Sequence, residues 1–310
     1  MSVIVSVQHL HKEFDSVKAV NDLSFTVHEG DVYGFLGQNG AGKSTTIRMM
    51  LTLIQPDSGS IKIFDRELAA HRKEILKQTG AIIERPDMYK YLSAYDNLSI
   101  FARLSGIRAP RKLLMDQLEK VGLAERSNSK VKTFSQGMKQ RLGIAIALVH
   151  DPKLILLDEP TNGLDPQGIA DMRRLIINLS KEHGKTVIVS SHLLSEIEMM
   201  ANRMIVIDKG KKIAEGAVSE MLDPATTIMQ LETTANEQAR AILQASRWSA
   251  FMETSGAGIR FRINRNDVPL LAAWLMQQGI GIVSLQPKHS LEDYFLSITN
   301  PGHHVEPVSN

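Results

Sequence analysis

Gly37-Gln38-Asn39-Gly40-Ala41-Gly42-Lys43-Ser44 fits the pattern G-x-x-x-x-G-K-[ST]. An apolar run, Val32–Leu36, precedes it, and a helical stretch from Lys43 to Met50 follows. Glycines let a backbone wrap closely around phosphate, and successive N–H groups turned inward form an anion nest. The helix start adds its positive dipole end. Lys43 has the reach for β- and γ-phosphates, and the Ser44 hydroxyl suits Mg²⁺. Thr45 belongs to the same nucleotide-binding set. The alternative, a chance glycine loop, does not account for the strand before it and the helix after it.

A second group stands at Leu154-Ile155-Leu156-Leu157-Asp158-Glu159. A continuous apolar strand ends in two adjacent carboxylates, at the strand end where α/β proteins bind ligands. Asp158 is placed to hold the Mg²⁺ shell. Glu159 is placed to polarise an attacking water as general base. Alone the pair would read equally well as a solvated Asp-Glu; beside a phosphate loop it reads as chemistry.

Elements must position these groups. Val3–Leu10 and Leu23–His28 alternate as half-buried antiparallel strands. Ser60–Phe64 and Ala81–Ile83 give short strands, and the pattern from Asp96 to Leu148 is helical, broken at Gly106 and Pro110. After Leu154–Leu157 come helix Gln167–Lys181, strand Thr186–Ser190, helix Leu193–Ala201 and strand Arg203–Asp208. This alternation predicts an α/β fold with a largely parallel sheet. Gly210 and Gly216 flank a hairpin arm. The remainder reads as strand Thr227–Glu232, helix Asn236–Ala245, strands Phe251–Thr254 and Gly258–Ile263, helix Val268–Gln278, strand Gly281–Gln286 and helix Leu291–Ile298. That βαββαβ order predicts a small ferredoxin-like α+β module.

The chain has 310 residues, 36 Lys+Arg, 34 Asp+Glu and no cysteine. It is long enough to bury a core without disulfides. A thiol nucleophile, a cysteine zinc site and an iron–sulfur cluster are excluded. Net charge of +2 gives no basic field for nucleic acid. The N-terminus alternates as a strand instead of reading as a signal peptide. No run of about 18 apolar residues occurs, so a membrane role is expected to come through another protein.

Further motifs in order complete a resemblance. Phe134-Ser135-Gln136-Gly137-Met138-Lys139-Gln140-Arg141 precedes a helix. Leu157 to Pro166 reads LDEPTNGLDP, and Ser190-Ser191-His192 ends the next strand. With the phosphate loop, these four motifs make residues 1–216 resemble the ATP-binding subunit of an ABC transporter, a P-loop NTPase with antiparallel β and helical subdomains, the helical one at about 90–148. A linker at 217–226, an accessory module at 227–300 and a tail at 301–310 follow. The resemblance implies two such domains paired head to tail around two ATP molecules. Ser135, Gln136 and Gly137 would then face the nucleotide of the second copy. His192 would contact the γ-phosphate and orient water with Glu159, and Asp165 would communicate across the dimer. Phe14 stands where the family has an aromatic that stacks on adenine; a core Phe at a strand end is an equal reading.

Two positions depart from the usual form. Gln136 replaces a glycine of the signature. Glu84, in Ile83-Glu84-Arg85-Pro86, replaces a glutamine that touches Mg²⁺. A carboxylate also serves as a hard ligand; alternatively Glu84 pairs with Arg85 or another surface cation. Together with Tyr91–Leu98 and Ser290–Phe295, these features resemble the bacitracin and lantibiotic self-protection exporters. The resemblance implies a bacterial origin, a separate integral-membrane permease, attachment at the cytoplasmic face of the cell membrane, and a homodimer of ATPase domains. Met88, Tyr89, Tyr91 and Tyr95 lie where the family receives a coupling helix. The alternatives are a soluble ABC ATPase acting on ribosomes or DNA, disfavoured by one phosphate loop, one signature and a net charge of +2, and an importer ATPase, disfavoured by Glu84 and the signature.

Overall fold

The computed structural model describes residues 2–84, 87–221, 228–252 and 258–288, and the chain divides into two units, Met1–Ala217 and Val218–Asn310. Arg85 and Pro86, residues 222–226 of the 217–226 linker, residues 253–254 of the expected strand, the expected helix Leu291–Ile298 with the Ser290–Phe295 ending, and the 301–310 tail lie outside the described residues.

The first unit holds two sheets. One is antiparallel, in the order β2 (Val17–His28), β1 (Val3–Phe14), β4 (Ser58–Ile63), β5 (Arg66–Glu67). The other runs β10 (Lys211–Ala217), β9 (Arg203–Asp208), β3 (Val32–Leu36), β8 (Thr186–Ser191), β7 (Leu154–Leu157), β6 (Thr79–Ile82). Its pairings are parallel except the β9–β10 hairpin. Every residue of β3, β7 and β8 is buried, which is why Val32–Leu36, Leu154–Leu157 and the Val187–Val189 centre of β8 read as apolar runs and not as alternation. In β1 and β2 one face is buried and the pattern alternates.

Helix α1 (Lys43–Met50) sends Ile47, Met49 and Met50 into one core with Val5, Leu23, Phe25, Tyr33, Phe35, Leu156 and Ile188. Phe25 meets Phe35 edge-on, with ring centroids 4.9 Å apart. A short α2 (Arg72–Leu76) and the two-residue β5 were not expected from sequence; neither is long enough to show a period. The helical region comprises α3 (Ala94–Leu104), α4 (Arg111–Lys120) and α5 (Gln136–Leu148). Ser93 and Asp96 cap α3 reciprocally. Gly106, at φ +80°, and Pro110 separate α3 from α4. Then come α6 (Pro166–Lys181), started by the Asp165 carboxylate and by Pro166 at its first position, and α7 (Leu194–Met200). A Cβ at Gly34 would lie 2.5 Å from Ile197 Cγ2, so glycine on β3 is what lets α7 seat against the sheet.

The second unit begins with α8 (Val218–Met221) and builds a sheet in the order β12 (Ile259–Arg262), β11 (Ile228–Thr233), β13 (Ile282–Lys288). Both pairings are antiparallel. Helices α9 (Asn236–Gln244) and α10 (Val268–Gln277) contribute Leu243, Leu271 and Leu275 to a core with Leu231, Trp248 and Phe261. This is the α+β module expected, with one local difference. Arg247–Phe251 forms a 3₁₀ turn whose last residue, Phe251, was expected to start a strand; the Ser246 side chain accepts from Trp248 N and the Trp248 ring is buried. Met252 keeps a single antiparallel bridge to Phe261. Among the described residues no helix is long and apolar enough to cross a membrane.

Candidate functional site

Strands β3, β8, β7 and β6 lie side by side and parallel, so their carboxyl ends form one row. β3 runs into the glycine loop, β8 into His192, β7 into Asp158 and Glu159, and β6 leads to Glu84. Four segments up to about 155 residues apart in sequence are thereby brought to one edge of the sheet, where open α/β sheets hold ligands.

In the loop, Gly37 is buried and Gln38, Asn39 and Gly40 are exposed. Gly42 has φ +104°, and a Cβ there would lie 2.4 Å from the Ala19 carbonyl oxygen, so no other residue fits. Lys43 is buried, and its Nζ donates to the carbonyls of Gly37 at 2.6 Å and Gln38 at 3.2 Å. Ser44 and Thr45, both half-buried, follow in the first turn of α1.

The carboxylates are tightly organised. Ser190 Oγ donates to Asp158 Oδ1 at 2.6 Å and accepts from Glu159 N at 2.9 Å. Glu159 Oε2 contacts His192 Nδ1 at 2.8 Å. Its other oxygen, Oε1, is buried without a hydrogen bond and has its ion-pair contact with Lys43 Nζ at 3.4 Å. One carboxylate, 18% exposed, thus joins the loop cation to the strand-end histidine. Glu84 forms an ion pair with Arg48 of α1. Both acids sit in left-handed backbone, Glu84 at φ 61° and Glu159 at φ 49°. A non-glycine residue held there costs about 1–2 kcal/mol.

A cavity of about 360 Å³ is lined by Ser44, Ile83, Glu84, Gln136, Gln140, Asp158, Glu159 and Asn162. The Ser44 hydroxyl, the carboxylates of Glu84, Asp158 and Glu159 and the amide oxygens make a hard-oxygen set of the kind that suits Mg²⁺. Ser135, Gln136, Gly137, Gly163 and Asp165 line a different cavity, of about 390 Å³. Ser135 Oγ accepts from Met138 N, and Asp165 Oδ1 accepts from Gly168 N, so both residues cap their helices. Gln136 reaches both cavities. Phe14 belongs to neither; its ring is 43% exposed at the end of β1, with Lys12 Nζ 5.2 Å from its centroid.

Motif reading passed over several residues that shape the site. Ser190 is one, although it stands two residues before His192. Glu196 is another: its Oε2 accepts from Thr161 Oγ1 at 2.6 Å and from Ser191 Oγ at 2.8 Å, all three side chains being buried. Nothing in the sequence of α7, which also carries Ser195 and Glu198, set Glu196 apart. Tyr89 is 52% and Tyr91 78% exposed. The backbone beneath Tyr89 is fixed, because buried Asn97 both donates to Tyr89 O and accepts from Tyr89 N.

Residues 20–162 match the sequence family described as ABC transporter. The chain is 41% identical over 305 residues to the bacitracin transport ATP-binding protein BcrA of Bacillus licheniformis, covering 97% of this chain and 99% of that one. It is 42% identical over 212 residues to the lantibiotic transport ATP-binding protein SrtF of Streptococcus pyogenes, covering 68% and 90%. A solved structure of the ATP binding subunit of an ABC transporter matches with a TM-score of 0.62 at 28% identity, over 70% of this chain and 91% of that chain.

Proposed function

The chain belongs to the ABC transporter family as an ATP-binding ATPase subunit, and from that premise we propose that it powers export of a peptide antibiotic or similar amphiphile through a separate integral-membrane permease. Support comes from BcrA and SrtF, whose names refer to bacitracin and lantibiotic transport. The subunit would sit at the cytoplasmic face of the bacterial membrane. Tyr89 and Tyr91, exposed rings on a pinned backbone, suit an interface core.

The observation that carries the catalytic reading is the Lys43–Glu159–His192 chain, with its 3.4 Å and 2.8 Å contacts. Phosphate oxygens entering the glycine loop would draw Lys43 Nζ toward them. Glu159 Oε1 would then be left to accept a proton from water as the water oxygen attacks the γ-phosphorus and ADP departs. His192 Nδ1 holds the other carboxylate oxygen and so fixes the base in orientation. Ser44 and Asp158 would hold Mg²⁺, with Glu84 joining them on release from Arg48; the ion supplies charge neutralisation at the β- and γ-phosphates.

A head-to-tail homodimer is part of the proposal. Glycine at 137 lies in the first turn of α5, where it costs about 1 kcal/mol of helix propensity. A Cβ there would meet only Leu164, at 3.9 Å. Packing within the chain does not call for glycine, whereas a nucleotide brought up by a second copy would. ATP closes such a dimer through its higher affinity for the closed state, and hydrolysis reopens it.

The test pairs a cell assay with a pull-down. Deleting the gene should sensitise its host to bacitracin or a lantibiotic, and the tagged chain should copurify with a polytopic membrane protein. Unchanged survival against both classes would remove the antibiotic cargo from the proposal.

A further inference from the structure

Two strand ends must be held in register for the Glu159–His192 contact to exist, and one buried carboxylate ties them. Thr161 stands two residues after Glu159, and Ser191 stands immediately before His192. Both hydroxyls donate to the same oxygen, Oε2 of Glu196. Ser191 Oγ also accepts from Leu193 N at 3.0 Å, which fixes the direction of its proton toward Glu196. Thr161, Ser191 and Glu196 are 3%, 1% and 6% exposed. A carboxylate so buried is costly unless hydrogen-bonded. Its place is set from below by Ile197, seated over Gly34 of β3.

We propose that Glu196 is a positioning residue for ATP hydrolysis, clamping the segments that carry Glu159 and His192 so that their contact is preorganised. This rests on the reading of Glu159 as general base. The clamp lies outside the residues lining either cavity. It therefore bears on turnover and not on nucleotide affinity. Loss of the clamp lets the base shift by a fraction of an ångström to an ångström, a displacement that costs up to about 100-fold in rate.

The test uses the purified full-length chain and four variants: Glu196→Ala, Glu196→Gln, the double variant Thr161→Val with Ser191→Ala, and Glu159→Gln as reference. Each is measured for kcat, KM, affinity for a fluorescent ATP analogue, and melting temperature. The expected result is a fall in kcat of about 10- to 100-fold for Glu196→Ala and for the hydroxyl double variant. KM and analogue affinity should stay within about twofold. Glu196→Gln keeps an acceptor oxygen for both hydroxyls and should retain most of the wild-type kcat. Wild-type kcat in Glu196→Ala or in the double variant would overturn the clamp. So would equal losses of affinity and turnover in Glu196→Gln, since that pattern marks a merely structural role. Should Glu196→Ala not fold, the double variant and Glu196→Gln decide the matter by the same criteria. Near-normal hydrolysis by Glu159→Gln would instead defeat the general-base reading, whatever the Glu196 variants do.

Discussion

Lys43 Nζ lies 3.4 Å from Glu159 Oε1, so the loop cation and the strand-end carboxylate neutralise one another across the site. The two groups would be asked to do opposite things by a triphosphate: the cation to hold phosphate, the carboxylate to avoid it. Pairing them keeps both in place with their charges balanced, and it makes each sensitive to loss of the other.

Lys43→Ala removes the cation and its bonds to the Gly37 and Gln38 carbonyls. A charge-assisted hydrogen bond is worth about 1.5–3 kcal/mol, so ATP affinity should fall about 10- to 100-fold. Titration with a fluorescent nucleotide measures this. Unchanged affinity would contradict the assignment of residues 37–44 to phosphate.

Glu159→Gln should leave affinity for ATP intact and lower kcat by about 10²–10⁴-fold, the usual contribution of a general base. On the proposed cycle, in which ATP closes the dimer and its cleavage reopens it, the variant should elute as an ATP-dependent dimer. Light scattering coupled to gel filtration gives the mass directly. A monomer with ATP bound would argue against the head-to-tail pairing.

Arg48 and Glu84 give a paired test of metal contact, since the ion pair holds Glu84 on α1. Glu84→Gln should raise the Mg²⁺ concentration for half-maximal ATPase by about tenfold, equivalent to about 1.4 kcal/mol. Arg48→Gln, which frees the carboxylate, should lower it. If both variants follow the wild-type Mg²⁺ curve, Glu84 serves only the surface pair.

Tyr33 offers a pH signature for the fold itself. Burial, with the Glu215 carboxylate 2.7 Å from its hydroxyl, holds this phenol well above the ordinary value of about 10. The folded chain thus keeps a proton that the unfolded chain loses, and stability should fall as pH rises beyond about 10. Below that pH the contribution is fully present. Tyr33→Phe should cost about 1 kcal/mol at neutral pH through the lost hydrogen bond and flatten the alkaline decline. Urea melts at pH 8 and pH 10.5 would show it; an unaltered alkaline slope would exclude Tyr33 as its source.

Much of this architecture was legible before any coordinates. Val32–Leu36, Lys43–Met50, Leu154–Leu157 and Arg203–Asp208 are bounded as the apolar runs and glycines indicate. Such segments are buried on both faces or start at a loop with strict backbone demands, so local sequence is enough. What escaped was tertiary. Arg48 meets Glu84 across 36 positions, and Thr161 meets Glu196 across 35. Neither pair shares an element or a period that would announce it. The sequence reading gives Arg247–Ala250 no element, and the 3₁₀ turn at Arg247–Phe251 meets the expected strand only at Phe251; it is set by burial of Trp248 and the Ser246 cap.

Left-handed backbone at Glu84 and Glu159 bears, finally, on which sequences can drift from this one. Glutamate codons are one base away from glycine, aspartate, valine, alanine, glutamine and lysine. At φ near +50° to +60°, glycine relieves the local strain, whereas valine worsens it. Position 159 is thus a site where, on the proposed mechanism, the change that removes the base also relieves the backbone. On the proposed mechanism, a copy that exchanged Glu159 for glycine would lose its base and relax the turn, while giving up the carboxylate that balances buried Lys43.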